Sequence, residues 1–193
     1  AISAIVALFS ALSYAELSSM FPKAGAEYEY TTAAVGGYIA FIVGWLIIFS
    51  GIIGAATVAL GFGGYFAGLF GTGRVIAAIG LIALLTLILI AGIKESAAVA
   101  GLFTLIEAVG LILIIIAGIP RLGNVNYLEM PFGITGVFTA AALVFFAYQG
   151  FEEMVKFSEE TREPEKTVPK ALMIALAVCT LLYILVCISA VSV

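Results

Sequence analysis

The chain has 193 residues, of which 64% are hydrophobic and 10% charged, with a formal net charge of −4 and a mean hydropathy of +1.25. That composition belongs to an integral membrane protein, and the length suits about six spans with short loops in a single membrane domain. Histidine and aspartate are absent and the basic residues form no run, which argues against histidine-based catalysis, paired-aspartate proteolysis, His-rich metal sites and a nucleic-acid partner. No enzyme chemistry, metal or cofactor is expected.

The first apolar segment, 1–21, carries Glu16 near its far end and stops at Phe21-Pro22-Lys23. It starts in mid-hydrophobe, without the basic start and cleavage site of a secretory signal, and reads as a span cut at its beginning. Glu16, close to the segment's end, reads as solvated or snorkelling. A polar connector, 23–34, leads into a long second span, 37–66, in which Gly51, Ala55, Ala59 and Gly63 recur every fourth residue. This small-residue spacing lets membrane helices approach closely, and general packing is its better reading.

The third span is predicted over 75–93 and the fourth over 97–119, with Glu107 at the centre of the fourth. A polar loop, 120–131, carries Arg121 and Glu129 and precedes a fifth segment, 134–157. A charged connector, 159–170, and a sixth span, 171–193, complete the chain. Cys179 and Cys187 sit about 12 Å apart along that last helix, too far to bridge, and read as small hydrophobes.

Orientation follows from the basic residues of alternate connectors. Lys23, Lys94, Lys156, Arg162, Lys166 and Lys170 fall in the odd connectors, and only Arg74 and Arg121 in the even ones. The positive-inside rule places the odd connectors in the cytoplasm and both chain ends outside. An outer start within a hydrophobic span leads to the expectation that the chain is a fragment with at least one helix preceding it.

The fifth segment is the most informative. Its apolar part, 134–146, makes about 20 Å of helix against a hydrocarbon core of roughly 30 Å. Ala147-Tyr148-Gln149-Gly150 then interrupts it, and Phe151-Glu152-Glu153 resumes with charge. A short hydrophobic helix broken at a glycine and resumed is the pattern of a discontinuous helix, whose freed backbone groups face protein or water. A tilted short helix ending at Gly150, with Tyr148 and Phe151 as interface aromatics, gives a similar pattern. In the broken-helix reading, Tyr148 and Gln149 offer polar contacts, the carbonyls of Phe146 and Ala147 accept from an ammonium group, and Phe145, Phe146 and Phe151 wall a pocket.

Glu107 is the sharpest candidate for ion coupling. A carboxylate at mid-membrane is costly unless paired, solvated or protonated, and burial favours its neutral form, so it could bind and release a proton. The alternative is a protonated side chain bonded to a neighbouring helix. The charged run 158–170 reads either as a solvated loop or as a gate of breakable ion pairs.

Three stretches together resemble one family. FFAYQGFEEMVKFSEETREPEKTVPKAL is similar to the sixth helix and following loop of the amino acid–polyamine–organocation transporters. SALSYAELSSMFPKAGAEYEY resembles the end of that family's second helix, and GIKESAAVAGLFTLIEAVGL its fourth-to-fifth helix junction. The resemblance covers nearly the whole chain. It implies an all-α, leucine-transporter-like fold of two inverted five-helix repeats, of which this chain holds helices two to seven, including one discontinuous helix.

The resemblance also implies secondary active transport of an amino acid across the cytoplasmic membrane by alternating access, driven by protons or exchange. The substrate ammonium group would sit on carbonyls of Phe146, Ala147 and Tyr148, with Gly150 permitting the break. Glu107 stands near the place where some proton-coupled members carry a lysine, and Gln149 where an apolar residue is usual. The expected site therefore comprises Phe146, Ala147, Tyr148, Gln149, Gly150 and Phe151, with Glu107 for coupling. The expected partners are an amino acid, a proton and the lipid bilayer. A passive pore and a non-transporting membrane subunit are the alternative readings.

Overall fold

The computed structural model describes residues 2–192, apart from the side chains of Ile93 and Glu95. Ala1 and Val193, the outer ends of the expected first and sixth spans, lie outside the described residues. The order is α1 (Ile2–Met20), α2 (Glu27–Val35), α3 (Gly37–Phe70), α4 (Arg74–Ala91), α5 (Ile93–Gly118), α6 (Gly133–Phe145) and α7 (Pro164–Ser192). Short 3-10 turns at Ile119–Arg121 and Phe146–Tyr148, and a longer 3-10 helix at Phe151–Glu160, fill the chain around α6. Among the described residues six helical stretches, with Gly133–Glu160 taken as one, are long and apolar enough to cross a membrane. The chain is thus an all-α, multi-pass membrane protein.

Two expected connectors contain helix. The polar connector expected over 23–34 contains most of α2, Glu27–Val35, a helix too short and too polar to announce itself by periodicity. Residues 164–170, read as a charged connector, form the first turns of α7. Pro164 at the first helical position has a preset φ and no N–H to leave unpaired. Glu165 favours the positive end of the helix, and the N–H groups of Lys166 and Thr167 both bond the Glu163 carbonyl, at 3.1 and 3.0 Å.

The chain divides into two compact units. One is Tyr38–Ala108. There α3 ends at Phe70 because Gly71 turns left-handed (φ 70°) and its N–H closes on the Ala67 carbonyl at 2.9 Å. The returning α4 then packs tightly: a Cβ on Gly63 would lie 2.3 Å from the Arg74 carbonyl oxygen. Arg74 Nε donates to the Leu60 carbonyl at 3.1 Å across the same turn. Ala59 and Gly63 are buried in this hairpin, whereas Gly51 and Ala55 of the same stripe are exposed.

The other unit joins α1 and α2 to the chain from Val109 onward. α1 and α7 pack through Ala7, Ala11 and Leu176, the two alanines fully buried one turn apart so that the helices approach closely. Ser3 Oγ donates to the Ala141 carbonyl at 2.7 Å and ties α1 to α6. Below them, Ala26 and Tyr30 of the α2 region close over Val155, Val168 and Leu172. At the opposite end Gly118 meets Ser189, whose Cβ would be 2.5 Å from any Cβ added to the glycine. The connector beyond α5 is held there by Tyr127, whose hydroxyl receives the Gly123 N–H at 2.9 Å and pairs with the Ser192 hydroxyl at 2.6 Å. These bonds, that from Gly123 foremost, hold the Tyr127 phenol below its ordinary range.

Candidate functional site

The break begins where α6 tightens. The Phe146 N–H reaches both the Leu143 and Val144 carbonyls, which turns the helix into a single 3-10 turn, Phe146–Tyr148. Gln149 is extended (φ −63°, ψ 143°), and Gly150 adopts φ 108° before the 3-10 helix Phe151–Glu160 starts. An added Cβ on Gly150 meets nothing within 4 Å, so the glycine is required by its backbone angle rather than by crowding.

Local bonds stabilise the interruption. The Gly150 N–H donates to Glu152 Oε2 at 2.9 Å, and Gln149 N–H to the Phe146 carbonyl at 3.2 Å. Glu152 and Glu153 occupy the first turn of the distal helix, where the aligned peptide dipoles favour negative charge. Tyr183 of α7 donates to the Ala147 carbonyl at 2.8 Å. A carbonyl has two acceptor lone pairs, so this bond leaves Ala147 with capacity for a second donor.

A cavity of about 130 Å³ lies beside the break, lined by Ser10, Tyr14, Phe145, Gln149, Phe151 and Glu152. Its walls are aromatic and its polar groups are a hydroxyl, a phenol, an amide and a carboxylate. The Tyr14 ring stands edge-on to Phe151, with centroids 6.1 Å apart. Tyr14 also donates its hydroxyl to Glu27 Oε1 at 2.8 Å.

The expected site residues divide into groups. Gln149 and Phe151 line the cavity, and Gly150 provides the turn between the two helical halves. Tyr148 points elsewhere: it is 6% exposed, packs with Ala7, Ala11 and Leu176, and meets Tyr183 edge-on at 5.2 Å. Phe146 is exposed. Glu107, exposed on α5, belongs to the unit Tyr38–Ala108, and the break belongs to the other unit. Sequence reasoning passed over Ser10, Tyr14, Glu152 and Tyr183. The signal available for the first two was polarity within an apolar helix, and for Glu152 its place two residues after the helix-breaking glycine.

Comparison with known proteins gives this geometry a context. The family model described as Amino acid permease matches residues 1–193. The chain is 36% identical to the branched-chain amino acid permease BcaP of Bacillus subtilis (strain 168), over 96% of this chain and 44% of that protein. It is 35% identical to the methylthioribose transporter of the same organism, over 96% of this chain and 44% of that protein. With cationic amino acid transporter 4 of Homo sapiens the identity is 30%, over 96% of this chain and 33% of the relative. The chain spans less than half the length of these curated relatives. A match along the full sequence joins six described stretches long and apolar enough to cross a membrane and a helix broken at Gly150: the chain belongs to the amino acid permease family, a family of transporters rather than enzymes.

Proposed function

We propose that the protein is a secondary active transporter that moves amino acids across the cytoplasmic membrane by alternating access. The observation that carries this reading is the interruption of the α6 region at Phe146–Gly150, beside a small cavity with aromatic walls and polar ends. Broken helices hold substrates in membrane transporters because the freed backbone groups can bond an ion or a charged substrate group inside the protein. The substrate ammonium group bonds carbonyls at Phe146, Ala147 and Tyr148, and the rest of the molecule faces Gln149 and Phe151. The family match, together with relatives that include a branched-chain amino acid permease and a cationic amino acid transporter, supports an amino acid as cargo.

Coupling rests on Glu107, which binds a proton on one side of the membrane and releases it on the other. The connectors rich in lysine and arginine face the cytoplasm. Reconstituted vesicles test the reading: uptake of a labelled amino acid saturates with concentration and is accelerated by unlabelled substrate inside. Linear, non-saturating flux would indicate a pore instead. Glu107→Gln keeps exchange and loses accumulation driven by a proton gradient; a variant that still accumulates substrate removes Glu107 from the coupling.

A further inference from the structure

We infer that Tyr14 is a positioning residue that links the cavity at the helix break to the α2 segment, which acts as a strap over the second half of the broken helix. The inference deepens the transport reading and rests on it.

Tyr14 has two faces with different partners. Its ring forms part of the cavity wall with Gln149 and Glu152 and stands edge-on to Phe151, at 6.1 Å between centroids. Its hydroxyl leaves that wall and donates to Glu27 Oε1, at 2.8 Å, the first residue of α2. A group that enters the cavity and moves the ring therefore moves the donor that anchors α2. A neutral phenol bonding a carboxylate makes a charge-assisted hydrogen bond, stronger than one between neutral groups.

The strap is built to respond as one piece. Ala26, directly before Glu27, is fully buried at φ 41°, a conformation that side-chain-bearing residues seldom adopt. One turn later Tyr30 packs in the same cluster as Val155 of the distal helix and Val168 and Leu172 of α7. At the far end of the distal helix the Ala24 N–H donates to Glu159 Oε1 at 3.2 Å. The residues 24–30 are thus fastened at both ends of Phe151–Glu160, by Ala24 to Glu159 at one end and by Glu27 through Tyr14 to Phe151 at the other. When the Tyr14 to Glu27 bond opens, a strained turn is released and the cover over Val155 lifts.

The test uses the protein at its full length in detergent, with Val155→Cys as the only cysteine, and follows its rate of labelling by N-ethylmaleimide. Val155 is fully buried, so the rate reports strap opening. Tyr14→Phe and Glu27→Ala each raise the rate about tenfold, the size expected for loss of a hydrogen bond to a charged group. The double variant is no faster than either single one, and Glu27→Gln, which keeps an acceptor oxygen but loses the charge, falls between the parent and Glu27→Ala. A saturating amino acid substrate raises the rate in the parent and leaves it unchanged in Tyr14→Phe. In uptake, Tyr14→Phe alters the maximal rate while KM stays within about twofold, since the ring still walls the cavity. Parental labelling in both single variants, or additive effects in the double variant, would overturn the tie. A substrate response that survives in Tyr14→Phe overturns the transmission through its hydroxyl. If no amino acid changes the rate in the parent while the hydroxyl-dependent labelling persists, the transmission and the transport reading beneath it fall, and the tie alone stands.

Discussion

The Tyr183 hydroxyl donates to the carbonyl of Ala147 at 2.8 Å, so a side chain of α7 supports the 3-10 turn at which the helix beyond α6 is interrupted. The same ring stacks edge-on against Tyr148, 81° between planes. Loss of a single hydrogen bond of this kind costs about 1 kcal/mol. Tyr183→Phe therefore keeps the ring contact and loosens the break, and uptake at subsaturating substrate falls by about fivefold. Measured kcat/KM of the variant against the parent checks this; an unchanged value means the carbonyl is held by its neighbours alone.

Gly118 and Ser189 set how closely α5 and α7 approach at the end that carries the Tyr127 loop. A methyl at Gly118 would stand 2.5 Å from Ser189 Cβ and 2.8 Å from its Cα, and backbone atoms cannot swing aside as a flexible side chain does. Gly118→Ala is expected to destabilise by about 1–3 kcal/mol through overpacking. Thermal unfolding in detergent should show a lowered midpoint. Gly51→Ala, at an open position with no heavy atom within 4 Å, serves as the control with little change.

Tyr30, on the buried face of α2, packs in one cluster with Val155 and Leu172, and its hydroxyl has no hydrogen-bond partner among the described residues. Burial, helped by the charge of Glu27, pushes its phenol up to about 12 from the ordinary 10. The neutral form is the one the fold favours, so this contribution is complete below pH 10 and is lost as the pH climbs towards about 12. Hydrogen exchange of α2 is expected to accelerate across that window in the parent. Tyr30→Phe removes an unsatisfied buried hydroxyl while keeping the ring, so its stability at neutral pH should equal or exceed the parent's and its α2 exchange should be flatter with pH.

Leu172 is fully buried between the distal helix and α2. Leu172→Ala leaves a cavity there and is expected to cost about 2–5 kcal/mol. Because the lost contacts lie beneath the strap, proteolysis around residues 23–35 should rise with it. Unchanged cleavage would show that α2 is held by its polar ties alone.

How much of this was legible in the chain varies with the physics of each part. The break could be read because Tyr148, Gln149 and Gly150 stop an apolar run that is too short, and the Gly150 backbone angle accords with that reading. The direction of Tyr148 could not, since a side chain's bearing follows from helical period and the period is lost at the break itself. Tyr148 turned into the α1–α7 core instead of the cavity. Tyr14 and Ser10 were hidden for another reason: they meet the break only because α1 lies beside residues more than 130 positions later, as the Ser3 to Ala141 bond records. The helix α2 was missed because its nine residues are mostly polar or small, and its stability comes from Tyr30 and Ala26 packing on distant residues. In the α3 stripe Ala59 and Gly63 are buried, and Gly63 lets the backbone of α4 approach closely at Arg74.

The most direct test of the central claim is substrate uptake by Gly150→Val in the protein at its full length, reconstituted at an amount matched to the parent. Valine has room at this position but not the backbone freedom: φ 108° is a region that a β-branched residue avoids at a cost of about 1–3 kcal/mol or more. The break should straighten or shift, and saturable amino acid uptake should be lost while the folded protein persists. Parental uptake by a folded Gly150→Val protein would contradict a substrate site built on the interrupted helix.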